Sequence, residues 1–317
     1  MLTPLAAAAT AGASSAAMSA PPLRILFSDI DGTCVHYPDT LDGCATVADA
    51  CGADGLWAAT AADGAPAELL LLPPSSTGTR GAISARSLRL YAAVRALGVP
   101  LVIISGCRAA TLLQRLPCLP AADAYVCELG GRIFYPSSAL PTAAPLEEDL
   151  EWRRSLEAVA GPAAEAGPPA ERSGALWTCF ARLQAAGFAC DAASYTTAFR
   201  LRGSLAEVRP MLPPELAAAE NLKHVDVYPA ASGKRNAALH LMRRFGAAPA
   251  AAAFLCDDDN DLELAAAVGA VYLPTVTAPS VRAAVEAAPA GKFYVARAAA
   301  VWATEECLEL VLQRLAS

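Results

Sequence analysis

The sequence predicts an α/β protein whose core is a Rossmann-like, doubly wound parallel sheet with an inserted α+β cap. Three observations lead to this prediction. Continuously apolar runs at 24–28, 99–104 and 252–255 have the length of strands that are buried on both faces. Segments with helical periodicity alternate with these runs, as they do in doubly wound sheets. Between about 125 and 228 this alternation gives way to shorter strand-like and helical stretches.

The first part of the predicted core covers residues 22–124. Its opening strand runs directly into the polar loop 29–33, where the apolar run stops. A helix is predicted at 84–97, because Ser84 can cap its N-terminus and Gly98 can end it. The other elements of this part are predicted to be an irregular or partly stranded insertion at about 37–80, a strand at 99–104 and a helix from about 108.

The predicted cap covers residues 125–228, and the second part of the core covers 229–317. Within the cap, the patterns predict strands at 132–135, 195–202 and 222–228, and helices at 149–158, 176–186 and 205–211. In the second part of the core, they predict strands at 252–255, 270–273 and 293–295, and helices at 234–245, 262–268 and 304–315.

Composition excludes several classes of function. A net charge of −7 without a basic cluster argues against a nucleic-acid partner. No apolar run approaches the roughly 20 residues of a membrane span, so no membrane partner is expected. The ten cysteines show no CxxC pair, which argues against a zinc site or a disulfide framework.

Residues 1–21 are Ala/Ser/Thr-rich and uncharged, and we expect a disordered tail there. A cytoplasmic location is expected from this sequence. A plastid or other organelle is the alternative, because transit peptides share the Ser/Ala richness, although they usually carry Arg and none precedes Arg24.

Three predicted strand ends carry polar residues suited to phosphate chemistry. Asp29 and Asp31 follow the first strand, Ser105 follows the second, and an acidic run at 257–261 follows the third. Ligands of open α/β sheets bind beyond the carboxyl ends of the strands, so we expect these side chains to meet. Clustered carboxylates repel one another, which predicts a hard divalent cation such as Mg²⁺. Lys234, at the start of a predicted helix, can hold a phosphate oxygen or orient the nucleophile.

This set resembles the four motifs of the haloacid dehalogenase superfamily. In order, the matching segments are Asp29-Ile30-Asp31-Gly32-Thr33, Ser105-Gly106, Lys234, and Asp257-Asp258-Asp259-Asn260-Asp261. The large insertion between the second and third motifs is similar to the C2-type cap of the Cof-like branch. That branch includes sugar-phosphate phosphatases, sucrose-phosphate phosphatase and phosphomannomutase. Two positions differ, because Cys256 replaces the usual glycine before the fourth motif and Cys107 separates Gly106 from Arg108.

The resemblance implies a role for each of these residues. Asp29 would attack phosphorus and form a phospho-aspartyl intermediate, while Asp31 would act as general acid and base. Mg²⁺ would be bound by the Asp29 carboxylate, the Asp31 backbone carbonyl and Asp257. Asp261 would help through water or by pairing with Lys234. The phosphoryl group would be bound by Ser105, Gly106, Lys234 and the amides around Ile30, with Thr33, Asp258 and Asn260 in support.

Four cap residues are candidates for substrate contact, each with a structural alternative. Gly130 and Gly131 belong to a stretch that resembles the start of a Cof-type cap, but a Gly-Gly turn into a strand explains them equally well. Arg200 and Arg202 alternate along a predicted strand and so share one face. They could meet an anionic substrate or form a solvated sheet surface.

We therefore expect a phosphoric monoester hydrolase acting on a small phosphorylated metabolite, in particular a sugar phosphate. A phosphomutase of the phosphomannomutase type is an alternative with the same first chemical step. A catalytically inactive binding or regulatory protein with this fold is the alternative from a different class. The sequence does not predict the oligomeric state.

Overall fold

The computed structural model describes residues 21–74, 79–137, 146–164, 167–221 and 224–316, so the predicted N-terminal tail lies almost entirely outside the described residues. In chain order the strands are β1 Ile25–Ser28, β2 Ala45–Cys51, β3 Trp57–Ala61, β4 Pro66–Leu71, β5 Ala82–Ser84, β6 Leu101–Ile104, β7 Ala124–Cys127, β8 Arg132–Pro136, β9 Leu146–Glu148, β10 Cys190–Asp191, β11 Phe199–Leu201, β12 Leu216–Asn221, β13 His224–Pro229, β14 Ala252–Leu255, β15 Ala270–Leu273 and β16 Phe293–Val295.

The α-helices are α1 Pro38–Leu41, α2 Ala85–Ala96, α3 Ala109–Arg115, α4 Leu150–Ser155, α5 Glu157–Ala160, α6 Ala175–Ala185, α7 Leu205–Val208, α8 Gly233–Arg244, α9 Leu262–Ala267, α10 Pro279–Ala287 and α11 Ala300–Ala316. Ser84 caps α2 as predicted, because its hydroxyl accepts a hydrogen bond from the Ser87 amide. Within the described ranges, no helix combines the length and the apolar character needed to cross a membrane.

The largest sheet has the strand order β16-β15-β14-β1-β6-β7-β8-β9. Pairing is parallel from β16 to β7, which confirms the predicted doubly wound α/β core. All four residues of β1 are buried, and apolar clusters cover both faces of the sheet. Because β14 and β6 flank β1, the carboxyl ends of these three strands meet at one edge.

The strands β8 and β9 differ from the prediction. The strand at 132–135 was assigned to the cap, but β8 pairs antiparallel with β7 and extends the large sheet. The physical reason is the tight turn between β7 and β8. Glu128, Leu129 and Gly130 all have positive φ there, and the chain reverses direction within a few residues. The Gly-Gly pair therefore closes a hairpin of the large sheet.

A second, antiparallel sheet with the order β10-β11-β13-β12 forms the inserted α+β unit. Its outer face packs on α6 through a separate apolar cluster that includes Trp177 and Phe180. The predicted strand at 195–202 is shorter, since only Phe199–Leu201 forms β11, and the predicted helix at 149–158 is divided into α4 and α5. Residues 222–223 of the predicted third strand lie outside the described residues. The sequence patterns did not predict β12 or α10.

The insertion at about 37–80 forms a third sheet, with the order β2-β3-β4-β5. Its strands are antiparallel neighbours in sequence, and the turns from β2 to β3 and from β3 to β4 are short. Leu41, Leu69 and Val301 lie in the apolar cluster that joins this sheet to α11. The insertion is thus an ordered antiparallel sheet packed against the closing helix of the core.

Gly130 provides a test of the hairpin turn. Its φ is +82°, and a Cβ atom there would lie 2.3 Å from the Gly233 carbonyl oxygen. Gly187 is a matched control, because its φ is +94° but a Cβ atom would meet nothing within 4 Å. We expect Gly187→Ala to lower the free energy of unfolding by about 1 kcal/mol through backbone strain alone. Gly130→Ala should lower it by about 1–3 kcal/mol more through the clash, measured by urea unfolding. Equal losses would show that the contact with Gly233 is unimportant.

Candidate active site

The loop after β1 is a tight turn that brings backbone close to a neighbouring strand end. The Asp29 amide donates to the Leu255 carbonyl at 2.9 Å, which fixes the loop to β14. Gly32 has a φ of +78°, and a Cβ atom there would lie 2.1 Å from Oδ2 of Asp257. Glycine is therefore required for the Asp257 carboxylate to approach this loop.

Lys234, the second residue of α8, connects the ends of β1 and β14. Its Nζ donates to Oδ1 of Asp29 at 2.9 Å, to Oδ1 of Asp261 at 2.6 Å and to Oδ1 of Asn260 at 2.9 Å. All three ammonium hydrogens are used in this way. Burial alone would lower the pKa of Lys234, but Asp261 and Asp29 outweigh that effect and hold this pKa well above its usual value.

Three buried carboxylates lie together at this edge. Asp29, Asp257 and Asp261 each offer an oxygen within 4.8 Å of the others. Burial, reinforced by Asp261 and opposed by Lys234, raises the pKa of Asp29 to about 7. Burial and the charges of Asp29 and Asp261 also raise the pKa of Asp257. Thr33 donates to Oδ1 of Asp257 at 2.9 Å and helps to hold it in place.

A hard divalent cation fits this donor set. All the donors are oxygen atoms, which Mg²⁺ prefers. Burial first, and the neighbouring carboxylates in addition, raise the pKa values of Asp29 and Asp257, and a bound cation would oppose both effects. Asp29, Asp257 and Asp261 are the residues whose side chains could hold the ion.

Asp31 is not part of this carboxylate cluster and has its own partners. Its Oδ1 accepts hydrogen bonds from the Tyr37 hydroxyl at 2.5 Å and from Nη1 of Arg115 at 2.7 Å. Nη2 of Arg115 donates to the same Tyr37 hydroxyl at 2.7 Å. The sequence prediction did not include Tyr37 or Arg115. Arg115 resembles an ordinary cation at the C-terminus of a short helix, and only the closeness of Tyr37 to Asp31 in sequence could have indicated its role.

The second motif lies at the same edge, at the end of β6. Ser105 is buried, and its Oγ accepts a hydrogen bond from the Cys107 amide at 3.1 Å. Its own amide donates to the Val126 carbonyl at 3.0 Å, so the backbone of Ser105 is still fixed to β7, and Gly106 follows it directly. Ile30 is fully buried at the first loop, and its carbonyl accepts hydrogen bonds from the amides of Thr33, Cys34 and Val35.

Arg108 contacts the separate sheet instead of the carboxylate cluster. It forms an ion pair with Asp191, and its guanidinium carbon lies 5.0 Å from the centre of the Tyr195 ring. Asp258 also faces away from the cluster, because its Oδ1 accepts from Thr277 at 3.1 Å. These two residues support the loops around the site.

The structure accounts for the predicted cap residues mainly through packing. A Cβ atom on Gly131 would lie 1.9 Å from Oγ1 of Thr197, so this glycine permits a close approach of the second sheet. Gly130 likewise permits a close approach, in this case of the Gly233 backbone before Lys234. Arg200 is held by Asp226 in a bidentate ion pair, with distances of 2.6 and 2.7 Å. Arg202 follows β11 and is exposed.

No protein-family model matches the sequence, and no curated protein matches it. Solved structures nevertheless share the fold. The sucrose-phosphatase of Synechocystis, solved with sucrose and phosphate, is 14% identical with a TM-score of 0.58, and the match covers 92% of this chain and 98% of that one. A haloalkanoate-superfamily phosphatase from Bacteroides thetaiotaomicron is 15% identical with a TM-score of 0.52, over 92% and 95%. A subclass IIB sugar phosphatase is 14% identical with a TM-score of 0.50, over 86% and 93%. The chain therefore has the fold of the haloacid dehalogenase superfamily, as the sequence resemblance predicted.

Lys234→Met tests the electrostatic balance of the cluster. The substitution leaves Asp29 and Asp261 buried without their cation, which should lower the free energy of unfolding by about 3–5 kcal/mol at pH 8. The loss should be smaller at pH 6. When folding raises the pKa of a carboxyl group, the native state loses stability as the pH rises from the unfolded pKa to the folded pKa. In the variant, protonation of the buried carboxyl groups at pH 6 removes unpaired charge that is present at pH 8. Urea unfolding at the two pH values measures the difference.

Lys292→Met is the matched control for this experiment. Lys292 donates to the backbone carbonyl of Val268 and contacts no carboxylate in the described part of the chain. Its substitution should change stability equally at pH 6 and pH 8. If Lys234→Met shows the same absence of pH dependence, the three carboxylates do not rely on this lysine.

Proposed function

We propose that this protein is a magnesium-dependent phosphatase that hydrolyses a small phosphorylated metabolite, a sugar phosphate, through a phospho-aspartyl intermediate. The observation that supports this most directly is the buried contact between Asp29 and Lys234 at a strand end shared with Asp257 and Asp261. A carboxylate oriented by an ammonium group, beside further carboxylates that can hold a cation, is an arrangement suited to phosphoryl transfer.

In the first step, a carboxylate oxygen of Asp29 attacks phosphorus. Because Oδ1 is held by Lys234, Oδ2 is the oxygen that forms the new bond. The bond from phosphorus to the ester oxygen breaks, and Asp31 gives its proton to that oxygen so that a neutral alcohol leaves. In the second step, water attacks the phosphorus of the acyl phosphate and gives its proton to Asp31. The bond to Asp29 breaks, and inorganic phosphate is released with the carboxylate restored.

The positive charge at the site has two sources. Lys234, whose three hydrogens go to Asp29, Asn260 and Asp261, would attract the transferring group through its charge, and bound Mg²⁺ would be the second source. The Ser105 hydroxyl and the amides around Ile30 would donate to the phosphoryl oxygens. Asp29, Asp257 and the Asp31 carbonyl would hold Mg²⁺, with Asp261 close by through its pair with Lys234. When bound, the ion supplies the charge that offsets the carboxylates and the phosphoryl group together.

The side chains on one face of the second sheet favour a substrate whose leaving group carries hydroxyls and no second phosphate. Asp191, Arg200 and Asp226 lie directly opposite one another across this sheet, and Arg108 of the core meets the same row at Asp191. Arg108 and Arg200 are already paired with carboxylates, so this row of described residues offers no unpaired cation to an additional anion. Alternating donors and acceptors of this kind suit a polyol, and two structural neighbours are named as phosphatases of sucrose phosphate and of sugars.

The substitution Asp29→Asn tests the nucleophile. It should abolish Mg²⁺-dependent release of inorganic phosphate from p-nitrophenyl phosphate and from a panel of sugar monophosphates, because an amide cannot form the acyl phosphate. Asp49→Asn is the matched control, since Asp49 is exposed on β2, and it should keep full activity. Release of phosphate, as opposed to an isomeric sugar phosphate, distinguishes hydrolysis from a phosphomutase reaction. A folded wild-type protein that is inactive on the whole panel would contradict the proposal.

The substitution Asp257→Asn tests the cation site without an activity measurement. Wild-type protein should gain thermal stability on addition of Mg²⁺, by about 2.7 kcal/mol at a concentration a hundred times the dissociation constant. The variant should lose this response. Its melting temperature without Mg²⁺ should equal or exceed that of the wild type, because one of three repelling carboxylates is gone. A variant that keeps the full Mg²⁺ response would exclude Asp257 as a ligand.

A further inference from the structure

A closed triangle of polar contacts surrounds one oxygen of Asp31. Tyr37 and Arg115 both donate to Oδ1, and Arg115 also donates to the Tyr37 hydroxyl, so all three side chains are linked. Arg115 is buried, and the Asp31 side chain is 34% exposed. Oδ2 of Asp31 has no hydrogen-bond partner among the residues that the structure describes.

We propose that Tyr37 and Arg115 are positioning residues that lock the Asp31 carboxyl group, so that Oδ2 alone exchanges protons with the leaving oxygen and with the attacking water. This inference rests on the proposed function. A side chain that first gives and then takes a proton at the same place needs no reorientation between the two steps if one of its oxygens stays aimed at the reacting group. Two donors on Oδ1 fix the plane of the carboxyl group and prevent its rotation.

Arginine is suited to this task in a way that lysine is not. Its planar fork places one nitrogen on Asp31 and another on Tyr37, whereas an ammonium group is a single point charge without that geometry. The fork is also shielded, because only 10% of the Arg115 side chain is exposed. The arrangement is therefore built to be rigid.

The third sheet helps to hold Tyr37 in place. Tyr37 lies at the start of the insertion, and the chain returns beside it at β5, where His36 and Ala82 exchange backbone hydrogen bonds of 2.7 and 2.8 Å. A Cβ atom on Gly81 would lie 2.4 Å from Val35 and 3.5 Å from the Tyr37 ring. The two ends of the insertion thus close around the residue that contacts Asp31.

The experiment compares two phosphate esters that differ in their need for a proton. An alkyl phosphate, such as glycerol phosphate, must protonate its leaving oxygen, whereas p-nitrophenolate leaves without a proton. The ratio kcat/KM covers only the steps up to alcohol release, so it isolates the acid role of Asp31. In Tyr37→Phe and Arg115→Lys, we expect kcat/KM for the alkyl ester to fall by about tenfold or more. The value for p-nitrophenyl phosphate should change by less than about threefold, because its departure does not depend on general acid catalysis.

Two controls separate positioning from structural damage. Tyr37→Phe keeps the ring against Gly81 and so remains informative if Arg115→Lys unfolds. Arg95→Lys weakens a similar ion pair, with Asp123 at 2.7 Å, outside the site, and should leave the ratio of the two esters unchanged. Equal losses on both esters, or no loss on either, would overturn the inference while leaving the phosphatase proposal intact. A wild-type protein that hydrolyses neither of these esters nor any sugar monophosphate of the panel would instead remove the proposed function, and this inference with it.

Discussion

Three carboxylates and one ammonium group lie together in a buried space at the end of the parallel sheet. The balance of charge among them is the constraint on which the rest of the site depends. Lys234 neutralises part of the negative charge through Asp29 and Asp261, but it donates no hydrogen bond to Asp257, among the described residues the third member of the cluster. Burial makes the remaining excess unfavourable, as the raised pKa values of Asp29 and Asp257 indicate. A bound cation would offset this excess of buried negative charge and so stabilise the site.

The sheet edge and its cluster could be predicted because each part has a local signal. Continuously apolar runs indicate strands buried on both faces, and a polar residue directly after such a run must lie at the carboxyl end of a strand. Asp29, Ser105 and Asp257 all satisfy this rule, and the structure places them after the adjacent strands β1, β6 and β14. Parallel topology then brings them to one edge, although they are far apart in sequence.

Other parts depend on contacts that leave no pattern in sequence. The strand β8 was assigned to the cap because a strand pattern does not reveal its partner, and the hairpin turn that settles the matter depends on positive φ at Glu128 and Leu129. Arg115 and Arg200 show the same difficulty. Arg115 showed no signal in sequence, and Arg200 was a candidate for substrate contact only because it alternates with Arg202. In both cases the partner is a carboxylate that tertiary structure brings beside the arginine, Asp31 for the first and Asp226 for the second.

Glu128 has a consequence for how a substrate could enter. This fully buried carboxylate, at the turn of the large sheet, accepts four hydrogen bonds on Oε2 from the amides and hydroxyls of Thr196 and Thr197 in the second unit, at 2.7 to 3.3 Å. Because all four converge on a single atom, a separation of the two units must break them together, and water must then solvate the anion. If the proposed phosphatase admits its substrate by such a separation, the loss of these four bonds together would make opening costly, and opening would then limit the rate of turnover.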